Sequence, residues 1–155
     1  MIVLKPWNEC SDDAFLIRRQ VFVIEQQVPL EMELDEWDEL AFHALAFADE
    51  SEVIMGTGRL VIEQNIDHDQ VIELNQSYRV GRIGRLAILK KYRSRGYGSE
   101  LLQALINKGL ELGLKEFYLH AQINALNFYR EFGFESEGDV FEEAGILHRT
   151  MRRLN

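Results

Sequence analysis

A chain of 155 residues, 46% hydrophobic and 28% charged, is sized for one soluble domain with a substantial core. Its net charge of −9 disfavours general nucleic-acid binding, and no apolar run is long enough to cross a bilayer. The start MIVLKPWNECSDD lacks the basic end and apolar core of a secretory signal. The single Cys10 offers neither an internal disulfide nor a metal cluster, so a reducing, cytoplasmic setting without metal is expected.

In chain order, Ile2-Val3-Leu4 predicts a first strand, ended by Pro6. Ser11 reads as a helix N-cap, with Asp12 and Asp13 where the helix dipole favours negative charge. Ala14, Phe15, Ile17, Arg18, Val21 and Phe22 carry that helix to about Glu25, and Pro29 forces a break. Glu31, Glu33, Asp35 and Asp38 then alternate with Met32, Leu34 and Trp37, which predicts an acidic loop pinned by apolar anchors. The D-x-D-x-D-G spacing of a calcium loop is missing. Phe42 to Phe47 and Val53 to Ile62 read as strands, and Gly56 and Gly58 mark a bulge or a close approach in the second. Gln64 to Ser77 reads as a polar loop, with His68 exposed in it, and Tyr78 to Leu89 as a strand long enough to bend.

Lys90, Lys91, Arg93 and Arg95 crowd four positive charges into six positions, against the sign of the whole chain. Gly96 and Gly98 follow, and Leu101, Leu102, Leu105, Ile106, Leu110 and Leu112 have the spacing of an amphipathic helix ending at Gly113. The first amides of a helix have no partner within it and lie at the positive end of its dipole. Glycines let a bulky anion approach, and arginines add forked donors, so the expected ligand carries a phosphate or pyrophosphate. Neither GxGxxG nor GxxxxGK[ST] is present. Glu116 to His120 reads as a strand, Ala125 to Phe132 as a short helix stopped by Gly133, and Val140-Phe141 with Ile146 to Arg152 as a final hairpin.

Three stretches resemble the GNAT family of N-acetyltransferases. Arg93-Ser94-Arg95-Gly96-Tyr97-Gly98 matches the family's acyl-CoA loop, Arg/Gln-x-x-Gly-x-Gly/Ala. Ala125, Tyr129 and Gly133-Phe134 match a second motif, N-x-x-A-x-x-x-Y-x-x-x-G-F, with Gln122 in the usual Asn position. Arg18 to Pro29 (RRQVFVIEQQVP), followed by Glu31, Glu33, Asp35, Asp38 and His43, is similar to the N-terminal signature of the bacterial ElaA/YjcF-like branch.

The resemblance implies a single GNAT domain over residues 1–155: an α/β fold with a mixed, mostly antiparallel sheet and helices on both faces. It implies acetyl-CoA as co-substrate. The backbone of Leu86, Ala87 and Ile88 would pair with pantetheine. Arg93 and Arg95, with the amides of Ser94, Arg95, Gly96, Tyr97, Gly98 and Ser99, would hold the pyrophosphate. Asn127 would reach a phosphate or the pantetheine. Tyr129 would sit near the CoA sulfur as the acid, its plainer role being that of a packed amphipathic ring.

The general base is the gap, because Arg82 falls near the position where some GNAT enzymes carry a glutamate. Glu25, Glu33, His43, Glu73 or a water chain are the candidates. Glu25 could instead bind a cationic acceptor, and His43 could be a strand histidine satisfied by a neighbour. The function implied is N-acetylation of a small amine or an exposed protein amine, with no nucleic-acid or membrane partner and a homodimer left open. A non-catalytic acyl-CoA sensor or partner module and a mononucleotide-binding regulator remain alternatives.

Overall fold

The computed structural model describes residues 1–49, 51–65 and 78–155. Seven strands form one sheet: β1 (Ile2–Pro6), β2 (Phe42–Phe47), β3 (Ile54–Asn65), β4 (Tyr78–Ile88), β5 (Glu116–Gln122), β6 (Glu135–Glu143) and β7 (Ile146–Leu154). Their order is β1-β2-β3-β4-β5-β7-β6, and every pairing is antiparallel except β4 with β5. That exception follows from the connection. A parallel pair needs a crossover, and the helix α3 (Tyr97–Glu111) supplies it. The mixed, mostly antiparallel α/β architecture expected from the sequence is the one observed.

The apolar stripe of α3 does what its spacing predicts. Leu101, Leu102, Leu105 and Ile106 are fully buried against Leu60, Ile83, Phe117 and Leu119. Each such side chain contributes roughly 1.5–3 kcal/mol through removal from water. Leu110 falls off the stripe and is exposed.

The opposite sheet face carries α1 (Trp7–Arg18), whose Cys10 and Ala14 pack on Leu45 of β2. This helix starts four residues before the predicted cap. Pro6 is extended (φ −71°, ψ 160°) and leads straight into Trp7, so Ser11 sits inside the helix and caps nothing. After Arg18 the chain continues as a π-helical segment, Arg19–Glu25, and after Pro29 a single turn α2 (Leu30–Glu33) follows. The helix α4 (Leu126–Arg130) is shorter than expected because Ile123–Ala125 forms a 3-10 turn before it.

The final hairpin is longer than the sequence suggested. Its turn tightens to Ala144 and Gly145, both at positive φ (52° and 79°), the backbone that two-residue hairpin loops require. The predicted loop residues 66–77, His68 and Glu73 among them, lie outside the described residues. No helix among the described residues is long and apolar enough to cross a membrane.

Candidate active site

The sheet is split in its middle. β4 and β5 pair only through Val80↔Glu116, Gly81↔Phe117 and Arg82↔Tyr118. Past that point β4 keeps its bonds to β3, and β5 keeps its bonds to β7. Each strand therefore turns an unpaired backbone edge toward the gap. Unpaired edges are templates for any extended chain with amides of its own. A cleft of about 540 Å³ occupies the gap. Leu86, Ala87 and Ile88 line one wall; His120, Gln122, Phe128 and Tyr129 line the other.

A bulge shapes the β4 wall. Gly58 alone faces the two residues Arg85 and Leu86, because Thr57 pairs with Ala87 and Arg59 with Gly84. A Cβ on Gly58 would come within 2.8 Å of Leu86 Cδ1 and 3.0 Å of Leu105 Cδ1, so those side chains would have to shift to admit it. Arg85 adopts φ 51°, a left-handed conformation that costs a non-glycine residue roughly 1–3 kcal/mol. Its guanidinium holds it there. Nε donates to the Glu33 carbonyl at 3.1 Å, and Nη2 donates to the Met32 carbonyl at 3.1 Å and to Asp35 Oδ2 at 3.2 Å.

At the mouth, α3 begins with Glu100 N–H on the Gly96 carbonyl at 3.1 Å, so the amides of Tyr97, Gly98 and Ser99 precede the helical ladder. Ser94 (φ 62°) and Gly96 (φ 88°) turn the chain sharply enough to aim that helix start, a conformation that favours glycine at 96. Of the expected loop residues, Arg93 and Gly98 line the cleft. Ser94, Arg95, Gly96, Tyr97 and Ser99 form the turn beside it, with Arg95 exposed. Asn127 is exposed and accepts from Arg130 Nη1 at 2.8 Å.

Arg93 is already engaged. Its Nε donates to the Ile88 carbonyl at 2.9 Å, and its fork grips Glu25 at 2.7 and 2.9 Å. That hydrogen bond holds the Glu25 carboxyl below the usual range. The next residue, Gln26, accepts from Gln122 Nε2 at 3.0 Å. Neighbouring side chains of the π-helical segment thus clasp both walls of the split. This gives the Glu25-Gln26 pair a structural task, and it shows what Gln122 contacts in place of an asparagine.

Tyr129 packs its ring against Phe128 and Phe134 while also lining the cleft. Burial pushes its phenol up to about 12, and its hydroxyl has no hydrogen-bond partner among the described residues. It therefore keeps its proton through the neutral range.

The acidic loop is inside out relative to the sequence expectation. Glu33 and Asp38 are buried, whereas Met32 and Leu34 are exposed. The reason is a web of three arginines and three carboxylates. Arg18, itself fully buried, bonds Glu33 and donates to Asp38 Oδ1 at 2.7 Å. Arg59 joins Asp35 (2.6 Å) to Asp38 (2.8 Å). Arg85 closes the web on Asp35. Burial would raise the Asp38 carboxyl, but Arg18 and Arg59 outweigh it and hold it below its ordinary value; Arg59 and Arg85 do the same for Asp35. Glu33 lines the cleft, and its Oε2 has no hydrogen-bond partner among the described residues. His43 lies away from the cleft, 1% exposed, with Nε2 2.8 Å from the Asp38 carbonyl and its ring 4.8 Å from that of Trp7.

Sequence reasoning passed over a second group of titratable residues. His120, Glu143 and His148 line the cleft together on β5, β6 and β7. Glu143 Oε2 lies 3.5 Å from His120 Nδ1 and 4.0 Å from His148 Nε2. The close approach of His120 is the main cause that holds the Glu143 carboxyl below its usual range. The available signal was the period-two placement of Tyr118, His120 and Gln122 on one side of β5. Nothing local points to Glu143, which the hairpin delivers.

Residues 7–134 match the Acetyltransferase (GNAT) family. The chain is 34% identical to the uncharacterized N-acetyltransferase YjcF of Bacillus subtilis over 153 residues, 97% of each chain. It is 29% identical to the protein ElaA of Escherichia coli over 88% of this chain and 82% of that one. The crystal structure of ElaA superposes with a TM-score of 0.79 over 99% of both chains. An acyl-CoA N-acyltransferase from Pseudomonas aeruginosa superposes with a TM-score of 0.77 at 26% identity, over 99% of this chain and 98% of the other. The chain thus belongs to the GNAT family, in the branch of YjcF and ElaA, and is an N-acetyltransferase.

Proposed function

We propose that the protein transfers an acetyl group directly from acetyl-CoA to a primary amine that enters from the sheet face bearing His120. The observation that carries this reading is the split itself: two unpaired strand edges flank a cleft that leads from the start of α3 to Tyr129. An edge of that kind suits the amide-bearing pantetheine arm. The amides of Tyr97, Gly98 and Ser99, with Arg95, Lys90 and Lys91 nearby, suit its pyrophosphate. The bulge at Arg85-Leu86 leaves backbone amides free of the β3 ladder, where they can stabilise the charge that grows on the thioester oxygen. Tyr129 would donate the proton that the departing sulfur needs. A phenol near 12 is fully protonated at neutral pH, so the proton is in place beside the departing sulfur. Glu33, through its unused Oε2, would help seat a cationic acceptor. Arg93 would act mainly as a strut.

A binding-only reading draws on Arg82, a cation where a base was sought, which lines the cleft. Free-thiol release from acetyl-CoA across a panel of primary amines separates the two. Turnover supports the enzyme. Binding of CoA in preference to mononucleotides with no turnover supports the sensor. Tyr129→Phe should lower kcat by roughly 10²–10⁴-fold with acetyl-CoA affinity little changed. A folded variant with wild-type turnover would reduce Tyr129 to a packing residue.

A further inference from the structure

We infer that His120 is the general base that deprotonates the acceptor ammonium, and that Glu143 is its positioning residue. This rests on the acetyltransfer reading above and adds the group that reading lacks.

The argument begins with register. His120 opposes Thr150, and Gln122 opposes His148, so His120 and His148 share a face of the sheet. Phe141 opposes His148, and Glu143 opposes Ile146, which brings the carboxylate to the same face. His120 Nδ1 is buried, has no other hydrogen-bond partner among the described residues, and lies 3.5 Å from Glu143 Oε2. That distance is loose for a hydrogen bond, and such contacts commonly tighten when substrate arrives. With Nδ1–H turned to the carboxylate, Nε2 keeps its lone pair for the cleft. The Phe141 ring stands edge-on to the imidazole at 5.0 Å and limits its rotation.

Charged and titratable groups from four strands surround the pair. Glu143 on β6 is held ionised. Arg82 on β4 and Arg152 on β7 lie over the Tyr118 ring at 5.9 and 5.5 Å, and Tyr118 donates to Glu63 of β3 at 2.6 Å. His148 Nδ1 lies 2.7 Å from the Ile146 carbonyl, which makes it the donor and turns Nε2 toward Glu143.

The step balances. His120 Nε2 takes one proton from R–NH3⁺ and later yields it to water. The freed lone pair forms the C–N bond as the C–S bond breaks. Tyr129 gives its proton to the sulfur, and the surplus proton on the new amide nitrogen restores the phenol. One proton is released overall.

The test uses the full chain, acetyl-CoA and the amines benzylamine, L-lysine and spermidine. His120→Gln should lower kcat/KM by about 10²–10⁴-fold at pH 6.5. The loss should shrink as pH rises toward the amine's own pKa, with calorimetric acetyl-CoA affinity unchanged. Glu143→Gln should cost less and displace the acid limb of the pH profile to lower pH, because it removes the negative charge that stabilises the His120 imidazolium. A wild type that turns over while His120→Gln keeps its rate and its acid limb overturns this inference alone. A wild type that binds acetyl-CoA and acetylates no amine overturns the acetyltransfer reading as well. If His120→Gln fails to fold, the His120 ring signals in the wild type decide. Titration in step with the acid limb of kcat/KM supports the inference, and titration unrelated to it overturns it.

Discussion

One sheet face carries two groups of charge that differ in how completely they are closed. Beneath α1, Arg18, Arg59 and Arg85 neutralise Glu33, Asp35 and Asp38, and almost every polar atom is used. Across the split, His120, Glu143 and His148 meet at 3.5–4.0 Å, with His120 Nδ1 unsatisfied. The first group fixes backbone: it holds Arg85 at positive φ and so sets the bulge that shapes the β4 wall of the cleft. The second lines the cleft and is less completely paired. A saturated charge network is structural material, and an unsaturated one in a cleft is a candidate for chemistry.

Breaking the closed group should have the largest effect on stability. Arg18→Met leaves Glu33 and Asp38 buried without their main partner, and should cost roughly 3–5 kcal/mol in urea unfolding. Gly96→Asp sharpens the cofactor side. It puts a negative side chain among the amides proposed to hold the pyrophosphate, at a φ of 88°. It should cost on the order of 1.5–3 kcal/mol of acetyl-CoA binding, the worth of a charge-assisted contact, with the fold retained. Titration calorimetry showing unchanged affinity would move the pyrophosphate elsewhere.

A smaller effect is acid sensitivity in two stages. Burial lowers the His43 pKa, so its contribution is complete above the unfolded value near 6.5 and fades as pH falls through it. Asp35 and Asp38 are also depressed, so theirs is complete above about 3.9 and is lost as pH falls toward their folded values. Melting temperature followed from pH 7 to 3 should show both stages. A flat profile down to pH 4 would remove His43 from the account. The smallest effect is that of His120→Gln on stability, about 1 kcal/mol or less, since the open group supports little.

Local pattern made much of the molecule legible. The period of Leu101, Leu102, Leu105 and Ile106 announced α3 and its buried face. The glycines at 96 and 98 placed its start, and Gly58 marked the point of β3 that faces the bulge. These are short-range effects, in which a few neighbouring side chains decide the backbone. Ser11 misled for the opposite reason: its cap chemistry was overruled by the strand-to-helix junction at Pro6.

What the sequence by itself determined, then, is the order of elements, the glycine turn that opens α3 and the family motifs, all written within stretches of about thirty residues. Only the tertiary structure decided which charges are spent and which are available. Asp38 and Glu33 look like surface acids until Arg18, 15 to 20 residues away, and Arg59 are brought to them. Glu143 is an ordinary hairpin acid until sheet register sets it beside His120, 23 positions earlier in the chain. Electrostatic pairing acts through space and its strength depends on burial, so it follows the fold rather than the neighbouring letters.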